Sequence, residues 1–283
     1  MPERAGVGSG EIYAWYAVST SFISRGARFA GRWLAGAGAA VTALTVGVGS
    51  QRNRRLVTTL ARHIGYDDHP PRILPVVRVD VLTRDETAVV LPEPEGREGN
   101  VTLLELLVLT RLVREKGPAT IFEIGTFDGR TTLALAANAP HNATVYTLDL
   151  PPEVRPAHAL APGERQYVDK AAPGTRIRGA HAAKVRQLAG DSATFDFSPY
   201  SCDLIFVDGS HAYEYVVSDS QRAMNMLRGG RGTIVWHDYG EWEEVTRALN
   251  ELSRTPAFAG LRWVEGTTLA VLERGAGPSL RSG

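Results

Sequence analysis

Between residues 102 and 272, short apolar runs alternate with longer stretches that are apolar on one face only. The short runs predict strands at 119–124, 143–148, 185–188, 204–207 and 233–236. The longer stretches predict helices at 131–137, 213–227 and 241–252. A T-x-x-E capping box at Thr102 and Glu105 predicts an earlier helix that ends near residues 116–118. Strands that alternate with helices predict a parallel sheet covered on both faces.

The end of this region departs from the alternation. Apolar runs at 261–264 and 268–272 flank Glu265, Gly266 and Thr267, a pattern typical of two antiparallel strands joined by a tight turn. The predicted fold class is therefore α/β. It is a Rossmann-like, open and mostly parallel sheet with helices on both faces and a C-terminal antiparallel hairpin.

The whole chain is predicted to divide into four segments. Residues 1–66 are predicted to form a helical N-terminal extension. Residues 67–100 predict an extended linker or lid with one short strand around 76–81, because five prolines forbid a long helix there. Residues 101–274 are predicted to form the main folded domain, and residues 275–283 a disordered tail.

Charge is balanced overall but is uneven along the chain. The 31 Lys and Arg residues equal the 31 Asp and Glu residues, which argues against a nucleic-acid partner. Residues 1–65, however, carry eight arginines against two glutamates, and an apolar run at 33–49 lies between these arginines. The run is slightly short for a membrane span. We interpret it as a packed or oligomer-forming helix of a homo-oligomer, with peripheral membrane contact through residues 25–55 and a true span as alternatives.

Two further features bear on location. The single cysteine, Cys202, cannot form an internal disulfide, and this fits a reducing compartment. The first residues lack the charged-then-apolar order of a secretory signal. The predicted location is the cytoplasm, with membrane association as the alternative.

A glycine loop follows the first predicted strand of the main domain. Glu123 stands two residues before a G-x-x-x-G loop that contains Gly125, Thr126 and Gly129. Glycines at a strand-to-helix turn let the backbone approach a ligand closely, at the sheet edge where open α/β sheets bind ligands. The alternative is a tight turn that needs glycine for its own geometry.

Acidic residues also follow the next two predicted strands. Asp149 ends the second strand, where its carboxylate can accept hydrogen bonds from both hydroxyls of a ribose, or can serve as a turn residue before two prolines. Asp191 and Ser192 follow the third strand, near where an adenine edge would lie. Both are also preferred helix N-cap residues, and the two roles can coexist.

Two later strands each end in an Asp and a His. Asp208 and His211 follow the strand at 204–207, and His237 and Asp238 follow the strand at 233–236. Asp208, His237 and Asp238 could converge on one divalent cation, since carboxylates suit Mg²⁺ or Mn²⁺ and imidazole suits softer metals. His211 or His237 could act as general base. The alternative is that the aspartates cap helices and the histidines bind backbone.

Taken together, these motifs resemble the class I S-adenosylmethionine (SAM) dependent methyltransferases. The resemblance rests on E-I-G-T-x-x-G-x-T at 123–131, V-D-G-x-H at 207–211 and H-D-Y at 237–239, and it covers about half of the chain. It is closest to a bacterial small-molecule O-methyltransferase branch that includes macrolide-sugar O-methyltransferases and cephalosporin hydroxylase-like proteins. The resemblance implies a SAM pocket formed by Glu123, Gly125 and Gly129, with Asp149 on the ribose and Asp191 and Ser192 on the adenine.

The sequence is also similar to the catechol-type O-methyltransferases, in which Mg²⁺ is held by an acid after the fourth strand and an Asp-Asn pair after the fifth. Asp208 matches the first position, and His237 and Asp238 stand where the Asp-Asn pair would be. His211 stands where the catechol type has a lysine base. These similarities imply methylation of a hydroxylated small-molecule acceptor such as a sugar or natural product, assisted by Mg²⁺ or another divalent cation.

Competing functions differ in what they require. A nicotinamide-dependent dehydrogenase would show G-x-G-x-x-G after the first strand, which is absent here. A metal-dependent hydroxylase-like or hydrolytic enzyme would use the Asp and His residues without methyl transfer. A non-catalytic scaffold would retain the fold without binding SAM.

Overall fold

The computed structural model describes residues 69–83, 86–168 and 173–275, together with residues 30, 31, 33–42, 45, 49, 50 and 57. The chain divides into two compact units, Met1–His69 and Pro70–Gly283. In the first unit, residues 30, 31 and 33–42 are helical, and Trp33 and Leu34 are each 65% exposed. None of the described helices is long and apolar enough to cross a membrane. The rest of the predicted N-terminal extension, and the predicted tail after residue 275, lie outside the described residues.

The second unit is built on one sheet. Its strands are β1 (Val76–Val77), β2 (Thr120–Ile124), β3 (Thr144–Asp149), β4 (Val185–Ala189), β5 (Leu204–Val207), β6 (Gly232–Trp236), β7 (Arg262–Val264) and β8 (Ala270–Arg274). Their order across the sheet is β1-β7-β8-β6-β5-β2-β3-β4. β8 is antiparallel to β6 and β7, and the other described pairs are parallel. The predicted Rossmann-like sheet with a C-terminal antiparallel hairpin is confirmed.

Helices cover both faces of this sheet. They are α1 (Val79–Leu82), α2 (Leu103–Lys116), α3 (Arg130–Asn138), α4 (Arg165–Val168), α5 (Tyr213–Met226) and α6 (Glu243–Leu252). Successive residues of a strand point to opposite faces, so Ile121 and Phe206 pack with residues of α2 and α3, while Phe122 and Ile205 pack with residues of α5 and α6. Both faces of the central strands are therefore buried, as their continuous apolar runs predicted.

The predicted capping box also forms. The backbone N–H of Glu105 donates to the Thr102 hydroxyl at 3.3 Å, and the backbone N–H of Thr102 donates to the Glu105 carboxylate at 2.7 Å. Gly117, with φ of 57°, ends α2 in the left-handed conformation.

The segment before α2 packs against the sheet. The predicted strand at 76–81 is correct only for Val76–Val77, because Val79–Leu82 turns into a short helix. The backbone N–H groups of Ile73 and Leu74 donate to the Tyr239 hydroxyl at 2.8 and 3.1 Å. Leu74 and Val77 are buried, and burial of these apolar side chains holds the segment on the domain.

Candidate active site

A cavity of about 660 Å³, including its open mouth, lies at the carboxyl ends of the parallel strands. Each of four strands contributes to its wall at or just after the carboxyl end of the strand. These wall residues include Gly125 after β2, Asp149 as the last residue of β3, Gly190 after β4 and Asp208 after β5. Ligands of open α/β sheets bind at this edge. The cavity is therefore the candidate ligand site.

The loop after β2 is held by Asp149. One carboxylate oxygen of Asp149, Oδ2, accepts hydrogen bonds from the backbone N–H groups of Thr126 at 2.8 Å and Phe127 at 2.7 Å. Thr126 itself is buried and shares a hydroxyl hydrogen bond with Thr147 at 2.6 Å. Asp149 also lines the cavity, and burial raises the pKa of its carboxyl although backbone N–H groups lower it.

The two loop glycines are required by the fold. A Cβ on Gly125, whose φ is 100°, would lie 1.9 Å from the Asp208 carbonyl oxygen. A Cβ on Gly129, whose φ is 85°, would lie 2.4 Å from a side-chain carbon of Ile177. Both glycines therefore allow close approach of neighbouring segments, and Gly125 also lines the cavity while Gly129 begins α3.

Glu123 lies beneath this loop and outside the cavity wall. Its Oε2 accepts hydrogen bonds from the hydroxyls of Thr132 and Thr147, the latter at 2.6 Å, whereas its Oε1 has no hydrogen-bond partner. Complete burial raises the pKa of Glu123 to about 8, although the two hydroxyl donors lower it. Direct contact between Glu123 and a cofactor stays a prediction.

Replacement of Glu123 by glutamine is expected to flatten the dependence of stability on pH. The folded chain keeps a proton on Glu123 from its ordinary pKa of 4.5 up to about 8, so the free energy of unfolding falls as pH rises through this window. We expect Glu123→Gln to remove about 3.5 kcal/mol of the decrease between pH 5 and pH 8. Urea titrations at several pH values measure this, and parallel curves for the two proteins would contradict it.

Asp191 and Ser192 lie in the cavity wall after β4. Asp191 accepts hydrogen bonds from the backbone N–H of Ala157 at 2.6 Å, the backbone N–H of Ala193 at 2.9 Å and the Tyr215 hydroxyl at 3.0 Å. The Asp191 carboxylate therefore mainly holds neighbouring segments of the protein in place. Ser192 donates to Asp219 at 3.1 Å. Contact of either residue with adenine stays a prediction.

The four residues after β5 and β6 come together as predicted. His237 Nδ1 lies 3.0 Å from Asp208 Oδ1 and 3.1 Å from Asp238 Oδ2. His211 Nε2 lies 2.8 Å from the same Asp238 oxygen. Single donor atoms of Asp208, His211 and Asp238 all lie within 4.8 Å of one another. Asp238 has a φ of 66°, a left-handed backbone conformation that residues other than glycine rarely adopt. Such strained residues are common at functional sites.

The charges in this cluster shift one another's pKa values. Burial would lower the pKa of His237, but the charges of Asp238 and Asp208 outweigh burial and raise it well above the ordinary value. Burial would also lower the pKa of His211, but the charge of Asp238 raises it above the ordinary value. Burial would raise the pKa of Asp238, but the two histidines lower it. Burial raises the pKa of Asp208 despite the charge of His237.

Sequence patterns did not identify three further residues of the cluster. Glu105 of α2 contacts His237 Nε2 at 3.3 Å, across 132 positions of sequence. Glu164, from the insertion after β3, accepts a hydrogen bond from the His211 backbone N–H at 2.8 Å. The Trp242 ring stacks on His211 with 4.0 Å between ring centroids. Glu105 was visible only as a capping-box residue, and no sequence signal connected the other two to this site.

The donor chemistry of the cluster fits a divalent cation. Carboxyl groups of Glu105, Glu164, Asp208 and Asp238 outnumber the two imidazoles. An excess of buried carboxylates around converging oxygen and nitrogen atoms is the environment that divalent cations occupy in proteins. Asp208, Asp238 and one histidine nitrogen could hold such an ion.

Comparison with known proteins finds a methyltransferase family for the central part of the chain. Residues 122–239 match the family model Methyltransf_24, described as a methyltransferase domain. A protein of Acanthamoeba polyphaga mimivirus, uncharacterized protein R132, is 25% identical over 166 residues, which are 56% of this chain and 71% of that protein.

Solved structures include similar folds at low sequence identity. A methyltransferase of Podospora anserina bound to S-adenosylhomocysteine (SAH) is 15% identical, covering 62% of this chain and 80% of its own, with a TM-score of 0.44. The O-methyltransferase TomG of Streptomyces achromogenes in complex with SAM is 15% identical, covering 65% and 93%, with a TM-score of 0.42. Sequence similarity this low does not transfer their ligands or substrates to this chain.

The family match spans the glycine loop after β2 and the Asp and His residues after β5 and β6. Residues 122–239 are therefore similar to a methyltransferase domain, as the motifs predicted.

Proposed function

We propose that this chain transfers the methyl group of SAM to a hydroxyl of a small molecule, such as a sugar or another natural product, with the help of a divalent cation. The observation that carries this proposal is the shared cavity wall. Asp149, suited to a ribose, and Asp208, part of the Asp and His cluster, line one cavity. A donor bound at one end would therefore place its methyl group beside residues able to bind and deprotonate an acceptor.

The cofactor half of the cavity is assigned to the loops after β2, β3 and β4. Asp149 accepts hydrogen bonds from the ribose hydroxyls, while its other oxygen keeps the loop at Thr126 in place. Ser192 faces the adenine, and Asp191 holds the wall around it. Gly125 lets the loop approach the bound molecule. Glu123 and Gly129 support the loop from below and from the start of α3.

The acceptor half is assigned to the Asp and His cluster. SAM when bound supplies an electrophilic methyl group on a sulfonium, and a bound cation supplies positive charge that lowers the pKa of an acceptor hydroxyl. Asp208 and Asp238 would hold the cation together with one histidine, and the other histidine would take the hydroxyl proton. Stacking of Trp242 and the contact with Asp238 fix the His211 ring in one orientation.

The first experiment is isothermal titration of the protein with SAH, repeated after EDTA treatment and then with added Mg²⁺ or Mn²⁺. We expect micromolar binding. A screen of hydroxylated metabolites with isotopically labelled SAM then identifies the acceptor, and loss of turnover in EDTA supports cation assistance.

The competing functions give different results in the same experiment. Acceptor consumption without label transfer would favour a hydroxylase-like or hydrolytic enzyme on this fold. Absence of SAH binding in every condition would favour a scaffold without catalysis.

We further propose a cytoplasmic homo-oligomer in which the apolar run at 33–49 forms the contact, with membrane contact through residues 25–55 as the alternative. The exposure of Trp33 and Leu34 beside several arginines supports such a contact. Light scattering after size-exclusion chromatography measures the oligomeric state, and sedimentation with anionic vesicles tests the alternative. A monomer that leaves vesicles unbound would contradict both.

A further inference from the structure

We propose that the insertion between β3 and β4 carries a second binding site, which holds a phosphate or similar anionic group of the acceptor. The site is a groove lined by Arg155, His158 and Arg165, called the basic groove below. It rests on the proposed methyl transfer, and it narrows the acceptor to molecules that carry an anionic group away from the methylated hydroxyl.

The basic groove is a cavity of about 1410 Å³, including its open mouth, and all of its wall residues belong to the segment 152–168. Arg155, His158 and Arg165 are exposed to it, and Glu153 is the one acidic residue among its described wall residues. A guanidinium group presents several N–H donors in a planar fork that matches the oxygens of a phosphate, and an imidazole ring can add another donor.

The two arginines are available for such a ligand. Within the described part of the chain, other arginines form salt bridges, and neither Arg155 nor Arg165 does so. Hydrogen bonds between guanidinium and phosphate are charge-assisted, and they are stronger than bonds between neutral groups. The groove therefore offers two strong anion-binding groups that the described protein does not use itself.

The basic groove adjoins the cavity at the carboxyl ends of the strands, called the main cavity here. Leu160 and Val168 line both of them. The groove and the main cavity are thus separated by a shared wall to which these two side chains belong. A molecule that extends past this wall can place a hydroxyl in the main cavity and an anionic group in the groove.

One side of the groove is fixed to the loop after β4. The backbone N–H of Ala157 donates to the Asp191 carboxylate at 2.6 Å. The His158 ring meets the Tyr215 ring edge-on, with 5.2 Å between the ring centroids, and the Tyr215 hydroxyl donates to Asp191 at 3.0 Å. His158 and the neighbouring Arg155 therefore belong to a segment that is held against the wall of the main cavity.

The other side of the groove is fixed to the loop after β5. Glu164 is buried and immediately precedes Arg165. Its carboxylate accepts hydrogen bonds from the Ser210 hydroxyl at 3.1 Å and from the His211 backbone N–H at 2.8 Å. The start of α4 is therefore anchored beside the residues assigned to the acceptor, and Arg165 follows this anchor directly.

The main cavity carries the opposite charge. Asp149, Glu164, Asp191 and Asp208 line it, whereas no Lys, Arg or His occurs among the described residues of its wall. If a cation neutralises Asp208, three carboxylates remain. A phosphate would be repelled by these like charges and attracted to the arginines of the groove. The two cavities together therefore favour an acceptor with an uncharged hydroxyl end and a separate anionic end.

The test compares the wild type with Arg155→Gln, Arg165→Gln and the double variant. Glutamine keeps a long polar side chain but removes the positive charge. Arg254→Gln is the matched control, because Arg254 is an exposed arginine after α6 that lines neither cavity. Thermal melting and SAH titration establish that each full-length variant is folded and that its main cavity is intact.

The first measurement is titration of inorganic pyrophosphate into each protein in the presence of SAH. We expect the wild type to bind pyrophosphate, and to bind it more weakly as salt is added, because salt screens charges at exposed sites. The double variant should bind pyrophosphate about 10–100-fold more weakly, since it lacks two charge-assisted contacts. Arg254→Gln should match the wild type, and SAH affinity should be the same in all variants.

The second measurement offers labelled SAM with pairs of acceptors that differ only in a phosphate ester, such as a sugar and its phosphate. We expect the wild type to have a kcat/KM at least about 10-fold higher for the phosphate ester. The double variant should raise the KM for the ester and leave kcat nearly unchanged, because a contact remote from the reacting hydroxyl stabilises ground state and transition state equally. Its kinetics with the unphosphorylated acceptor should not change.

Three results would overturn the site. The first is a wild type that binds SAH but no pyrophosphate, and the second is equal pyrophosphate affinity in the wild type and the double variant. The third is pyrophosphate binding without any preference for the phosphate ester, which would assign the groove to a free anion and not to the acceptor. Failure to bind SAH would instead remove the proposed methyl transfer, whatever the result with pyrophosphate.

Discussion

Replacement of Asp208 by asparagine is expected to lower kcat by about 10²–10³-fold while SAH affinity stays within about 3-fold of wild type. Asp208 lies where the cavity meets the histidine cluster, and its Oδ1 is 3.0 Å from His237 Nδ1. Asparagine keeps the shape of the side chain but removes the negative charge. The variant would therefore lose negative charge that holds the cation. Without the cation, the pKa of the acceptor hydroxyl would no longer be lowered.

Single-turnover kinetics with labelled SAM measure this effect once an acceptor is known. Asp196→Asn is a suitable control, because it removes the charge of an aspartate in a loop before β5, away from the cavity wall. A fully active Asp208→Asn enzyme would refute the assignment of Asp208 to the acceptor half. A loss of SAH binding equal to the loss of kcat would instead assign Asp208 to the cofactor half.

Asp149→Asn is expected to weaken SAH binding by about 10–100-fold with little loss of stability. The oxygen of asparagine can still accept the loop hydrogen bonds from Thr126 and Phe127. Its NH₂ group, however, replaces the second oxygen and cannot accept from ribose hydroxyls. Hydrogen bonds to charged groups contribute about 1.5–3 kcal/mol each, which corresponds to the expected loss.

Comparison with Asp149→Ala separates the two functions of this side chain. Alanine removes the loop anchor as well, so it should lower both SAH affinity and the melting temperature. Isothermal titration and thermal melting of the two variants measure these effects. Wild-type affinity in Asp149→Asn would remove Asp149 from the ribose role and leave it as a structural anchor of the loop.

The sequence predicted the glycine loop after β2 and its place at the carboxyl edge of the sheet, because both depend on local rules. Gly125 and Gly129 have positive φ, and a loop of this kind after a buried strand lies at the carboxyl edge of a parallel sheet. Asp149, Asp191 and Asp208 line the predicted cavity for the same reason, since each follows a parallel strand. The contacts of Glu123 and Asp191 with a cofactor stay predictions, because both carboxylates accept hydrogen bonds from the protein's own donors.

Other features depended on contacts between distant parts of the chain. The strand predicted at 76–81 is two residues long, because pairing with β7 ends where Val79–Leu82 turns into a helix. Pairing partners are set by the whole sheet, and a local apolar pattern does not identify them. Residues 84–85 and 169–172 lie outside the described parts of the chain.

By itself, the sequence determined the order of strands and helices, the terminal hairpin, and the presence of the Asp and His groups at one sheet edge. Periodicity and position relative to a strand are local properties, and they are readable from neighbouring residues. Only the tertiary structure brought Glu105 to His237 and Glu164 to His211. Those contacts join residues 132 and 47 positions apart, and their distances follow from how α2 and the insertion after β3 pack against the sheet.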